Sequence, residues 1–124
     1  MSFVPSSFVT QLPNISRSSA DAAPFGIVQV DDNGVIQLYN RWEQEMGGIP
    51  ASSAEGRNFF TQVAPCTNNR LVFGKFKEGV AAGSMDAEFN YTFTYKMKPT
   101  NVTLRIIRHA PSRTNWVLVG KRAA

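Results

Sequence analysis

Residues 88–122, EFNYTFTYKMKPTNVTLRIIRHAPSRTNWVLVGKR, decide the fold. Three runs in it alternate apolar and polar residues: EFNYTFTYKMK (88–98), NVTLRIIRH (101–109) and NWVLVGKR (115–122), with KPTN and HAPSRT supplying turn residues between them. A period of two sends successive side chains to opposite faces of a pleated strand, so the runs predict three consecutive antiparallel strands. Phe89, Tyr91, Phe93 and Tyr95 then share one face of the first. Just before it, Leu71, Val72, Phe76, Val80 and Ala81 recur near helical spacing between Asn69 and the stop at Gly83, which predicts the longest helix of the chain.

Further toward the amino terminus, SSAEGRNFFTQVAPC (52–66) reads as a short helical stretch ended at Pro65, because the residue before a proline is pushed out of the α region. Asn40 caps a brief helix over about Arg41–Met46 that stops at Gly47 and Gly48. Ile27, Val28 and Val30 face Val35, Ile36 and Leu38 across the turn cluster Asp31–Gly34, the pattern of a hairpin. Residues 1–23, rich in Ser, Ala and Pro with scattered apolar residues, read as an irregular or weakly helical cap on a domain spanning 24–124. Two strands, several helices and three strands make an α+β domain, with helices clustered over one face of a central antiparallel sheet. Such a layout leaves a cleft for a ligand of modest size.

The length of 124 residues fits one core. A single Cys and a single His cannot furnish a zinc site or an internal disulfide. No signal-like segment and no run approaching roughly 18 apolar residues is present, so a cytoplasmic protein without a membrane span is expected. The net charge of +4 comes from basic residues spread over several elements, which does not predict a nucleic-acid face. Phosphate-cradling glycine loops and HExxH are absent. His109 has no sequence partner that would make it a catalytic base for Cys66, so no enzyme is expected.

Residue chemistry alone leaves Tyr39, Glu43 and Cys66 with two readings each. Tyr39 ends a strand and Glu43 follows four residues later on the short helix, so a tight turn either aims phenol and carboxyl into one cavity or leaves a buried Tyr and a surface Glu. Cys66, just past the break at Pro65, is either a small buried hydrophobe or an attachment point.

YNRWE, GRNFFTQVAPCT, FGKFKEGVAAG, FNYTFTYKMKPT and WVLVGKR resemble the photoactive yellow protein family, small PAS-fold blue-light receptors. The similarity runs in register from Pro24 to Arg122, with one extra residue near Gly120. It implies a PAS-type fold and a 4-hydroxycinnamoyl (p-coumaric acid) chromophore held as a thioester on Cys66. Tyr39 and Glu43 are implied as hydrogen-bond partners of its phenolate, with Glu43 the proton donor after light-driven trans to cis isomerisation. Ile27, Phe59, Val63, Ala64, Thr67, Tyr91, Phe93, Tyr95 and Met97 are implied as pocket walls, Met97 also assisting dark recovery. Relief of the resulting buried carboxylate by loosening of the cap, and read-out by a separate protein partner, complete the implied cycle; a monomer or weak dimer suffices for it.

Two positions depart from the family pattern. Gly47 stands where the family commonly has a Thr supporting the Tyr hydroxyl, and Ile49 where it commonly has an Arg gating the pocket. Loss of that hydroxyl is expected to raise the chromophore pKa and give a mixture of phenolate and phenol near neutral pH. The rival reading is a chromophore-free PAS module that binds a partner or small ligand, with Cys66 a core thiol.

Overall fold

The computed structural model describes residues 3–94 and 98–121. Two short helices open the chain, α1 (Ser6–Gln11) and α2 (Arg17–Ala22), joined through a tight turn at Leu12–Asn14. The hairpin β1 (Gly26–Val30) and β2 (Ile36–Tyr39) follows, then α3 (Arg41–Gly47), α4 (Ala51–Ala54), a wide π-type turn at Phe59–Val63 and a 3-10 turn at Pro65–Thr67. A second π-type turn, Arg70–Gly74, leads into α5 (Lys75–Ala82) and the strands β3 (Met85–Phe93), β4 (Thr100–His109) and β5 (Thr114–Lys121).

All five strands pair antiparallel in the order β2-β1-β5-β4-β3. The last strand of the chain is therefore central, which explains its unbroken apolar run: Trp116 to Gly120 are buried on both faces. Side chains alternate from it into two cores. Val117 and Val119 join Val28, Val102, Leu104 and Ile106 beneath Phe59, Phe60 and Phe76, while Trp116 and Leu118 join Ile27, Leu38 and Ile107 beneath Val4, Leu12, Ala20 and Phe25.

The expected hairpin, capped helix and three strands are present, and α3 to α5 lie over one face. Residues 3–23 are more ordered than expected, because their scattered apolar residues converge on the other face of the sheet. Two expected helices are interrupted. The 52–66 stretch breaks at Gly56, whose φ of +90° a side chain would resist, and restarts where Asn58 Oδ1 accepts the N–H of Phe60 and Thr61. The 69–83 stretch begins as a π-type turn because Asn69 Oδ1 accepts the Val72 N–H, and only Lys75–Ala82 is α-helical. The first of the three predicted strands starts earlier, at Met85.

Candidate functional site

A small cavity of about 30 Å³ lies between α3, the Phe59–Val63 turn and the end of β3. Tyr39, Glu43 and Cys66 all line it. Phe59, Val63, Ala64 and Phe93 form its apolar wall, and Met46, Gly47 and Ile49 its helix side.

Asn40 builds the first part of the site. Its Oδ1 accepts the Glu43 N–H at 3.2 Å, which starts α3, and the Ile27 N–H at 3.0 Å, while its Nδ2 donates to the carbonyls of Ala20 (2.7 Å) and Phe25 (3.0 Å). A fully buried side-chain amide thus has each polar atom satisfied and fixes the start of the helix against β1 and the cap. One turn on, Glu43 points inward and is 2% exposed. Gly26 of β1 leaves the space it needs, because a Cβ there would collide with Glu43 Oε1. Gly48, with φ +71°, closes the helix in the left-handed conformation.

The Glu43 carboxyl is a buried acid with Oε1 in contact with no hydrogen-bond partner. Burial pushes its pKa up from 4.5 to about 8, so it carries its proton at neutral pH. Burial also pushes the Tyr39 phenol up, and a charge on Glu43 would push it further. The Tyr39 hydroxyl donates only a long 3.5 Å contact to the Glu43 carbonyl oxygen. A Cβ at Gly47 would stand 3.1 Å from that hydroxyl, so residue 47 directly adjoins it.

Cys66 sits partly buried in the Pro65–Thr67 turn. Its carbonyl accepts from the Tyr91 hydroxyl and from Asn69 Nδ2 (3.2 Å), and Asn69 Nδ2 also donates to the Tyr91 oxygen at 2.7 Å. The Thr67 hydroxyl donates to the Ala64 carbonyl at 2.6 Å. These bonds fix the backbone on both sides of Cys66, which lines the cavity.

The structure therefore brings together Tyr39, Glu43, Gly47, Ile49, Phe59, Val63, Ala64, Cys66 and Phe93 from the expected set. Tyr91 braces the Cys66 carbonyl and Thr67 the Ala64 carbonyl, and neither is among the residues that line the cavity. Ile27 is a correction: it points to the opposite sheet face, into the cap core, because its neighbour Val28 takes the cavity side. Tyr95 and Met97 lie outside the described residues. Sequence reasoning missed Met46, three residues after Glu43 on the same helical face, and Gly26, whose only signal is a glycine at a strand start. His109 bonds Ser112 at 2.6 Å in the β4–β5 turn and does not line the Cys66 cavity. Among the described residues, no three of His, Cys, Asp and Glu gather as metal ligands would, and no helix is long and apolar enough to cross a membrane.

Comparison with known proteins agrees with this geometry. Residues 17–122 match the PAS fold family. Photoactive yellow protein of Rhodothalassium salexigens is 36% identical over 108 residues, covering 87% of this chain and 86% of that protein. Photoactive yellow protein of Halochromatium salexigens is 38% identical over the same coverage. The crystal structure of the photoactive yellow protein domain from the sensor histidine kinase Ppr of Rhodospirillum centenum superposes with a TM-score of 0.85 at 38% identity, covering 90% of this chain and 98% of that one. With a PAS sheet and with Tyr39, Glu43 and Cys66 around one cavity, the chain belongs to the photoactive yellow protein family.

Proposed function

We propose that the chain is a blue-light photoreceptor and not an enzyme, with a 4-hydroxycinnamoyl group carried as a thioester on Cys66. The observation that carries this reading is the buried Glu43 carboxyl, its Oε1 without a hydrogen-bond partner, in a cavity it shares with the Tyr39 phenol and the chain's single thiol. A buried acid without an acceptor is costly, so the arrangement suits a bound group that offers one. Bound there, the 4-hydroxycinnamoyl group would supply visible absorption, a phenol to be held by Tyr39 and Glu43, and a double bond that responds to light.

The residues around it divide the work. The Cys66 sulfur, as thiolate, takes the acyl group from an activated donor, whose leaving group departs. Phe59, Val63 and Phe93 exclude water and strengthen every hydrogen bond inside. Glu43 holds the transferable proton. Once that proton has left, the carboxylate stands in the same apolar site without a partner, a penalty of several kcal/mol. Residues 3–23 form the cap that yields to it, since α1 and α2 are only 6 residues each and isolated helices that short are marginal. The face so uncovered is the signal, read by a separate protein in the cytoplasm. The basic surface serves the fold and not nucleic acid: Arg105 pairs with Asp86, Arg108 with Asp32, and Lys77 lies over the Phe73 ring.

Incubation with activated 4-hydroxycinnamic acid tests the reading by intact mass and absorption. It predicts a gain of one acyl group on Cys66 and a visible band that bleaches in light and returns in the dark. A folded protein that takes no label would make Cys66 a core thiol and the chain a chromophore-free PAS module.

A further inference from the structure

Tyr39 ends β2, the outermost strand on its side of the sheet, where one edge of the backbone has no strand neighbour. A buried or half-buried backbone group left open there would be costly. Its N–H donates to Glu55 Oε2 at 3.0 Å, and its carbonyl accepts from Arg17 Nη1 at 3.3 Å. Arg17 Nη2 and Glu55 Oε2 close the ring at 2.6 Å. One ion pair thus satisfies both polar groups of the peptide units flanking the Tyr39 Cα. Arg17 opens the cap helix α2, and Glu55 follows α4, so the ring joins three separate parts of the fold.

We infer that Arg17 and Glu55 form an electrostatic latch that positions Tyr39 and ties the amino-terminal cap to the strand carrying it. Arg17 and Glu55 are positioning residues, acting on the cavity through the Tyr39 backbone. Opening of the cap removes Arg17 from the ring and frees the Tyr39 carbonyl; conversely, any shift of Tyr39 strains the cap contact. The side chains of Arg17 and Glu55 are 47% and 27% exposed, so dissolved salt screens the pair. Cap release is therefore sensitive to ionic strength. The cap keeps two further ties that carry no ion pair to α3: Asn40 Nδ2 to the Ala20 carbonyl and the Arg41 N–H to Asp21 Oδ1 at 2.8 Å. Loss of the latch loosens the cap without unfolding it.

The light-dependent half of this inference rests on the photoreceptor reading, so the test has two arms. In the apo protein, hydrogen exchange of the Tyr39 amide in low salt should quicken about two- to five-fold in Glu55→Ala, while Glu55→Gln, which keeps an acceptor, stays near wild type. In the labelled protein, dark recovery of the wild type should slow about two- to five-fold as salt rises, because a screened latch closes later, and Arg17→Met should be slow at all salt concentrations. An unchanged Tyr39 amide in Glu55→Ala, or an Arg17→Met protein with the wild-type salt response, would overturn the latch. Failure of Cys66 to take label, with the amide response as expected, would sink the photoreceptor reading and leave the latch standing.

Discussion

On the cap side of the sheet, Trp116 and Leu118 meet Val4, Leu12, Ala20 and Phe25 in an apolar core. On the other side, Val117 and Val119 pack beneath Phe59 and Phe76, and the same layer continues into a cavity bearing Tyr39 and the neutral Glu43. The two cores share β1, β2, β4 and β5, so packing quality does not distinguish them. What does is a tolerated defect: the cavity side keeps a buried acid with Oε1 unpartnered, and the cap side is attached by short helices. A sheet that couples a costly charge change on one face to a weakly held layer on the other is the physical basis of a switch.

The comparison can be broken most completely at Cys66. Cys66→Ala should abolish labelling and all visible absorption while leaving the fold intact, as read by intact mass and circular dichroism. A substitution in the other core should do the reverse. Leu118→Ala, at a fully buried position, should cost about 2–5 kcal/mol in urea unfolding yet leave Cys66 able to take the acyl group.

Glu43→Gln sharpens the contrast through pH. The folded apo chain holds the Glu43 proton up to about pH 8, whereas the unfolded chain releases it near 4.5, so stability falls as pH rises across that window and levels off above it. The amide cannot ionise, and the variant should be the more stable at pH 7 by about 3 kcal/mol, with a flatter profile; urea midpoints at pH 5 and 7.5 measure both effects. The smallest effect concerns Gly47. The labelled wild type should show phenol and phenolate together near neutral pH, and Gly47→Thr should lower the titration midpoint of the dark spectrum by about one pH unit or less. A wild-type phenolate band persisting well below about pH 5 would contradict this.

Much of the fold was legible because the relevant patterns are local. The strand runs within 88–93 and 101–121, the Asn40 cap and the Gly83 stop each act over a few residues, and each appears in the structure. The π-type turns were not legible, since Asn58 and Asn69 set them by side-chain caps that compete with ordinary helix starts. The facing of Ile27 was not legible either. β1 is buried on both faces, so apolar Ile27 and Val28 carry no alternation to say which meets the cavity. In the site, the roles implied for Tyr39, Glu43 and Cys66 came from the family resemblance; residue types alone left each with a bland alternative. The Arg17–Glu55 ring joins residues 38 apart, a contact that no local pattern announces.

Infrared difference spectroscopy of the labelled protein, light minus dark, tests the central claim most directly, because it watches the Glu43 proton itself. The account predicts loss of a protonated-carboxyl C=O band on illumination, with a matching carboxylate gain, and absence of both in Glu43→Gln. Bleaching of a labelled wild-type protein with no carboxyl band lost would contradict it.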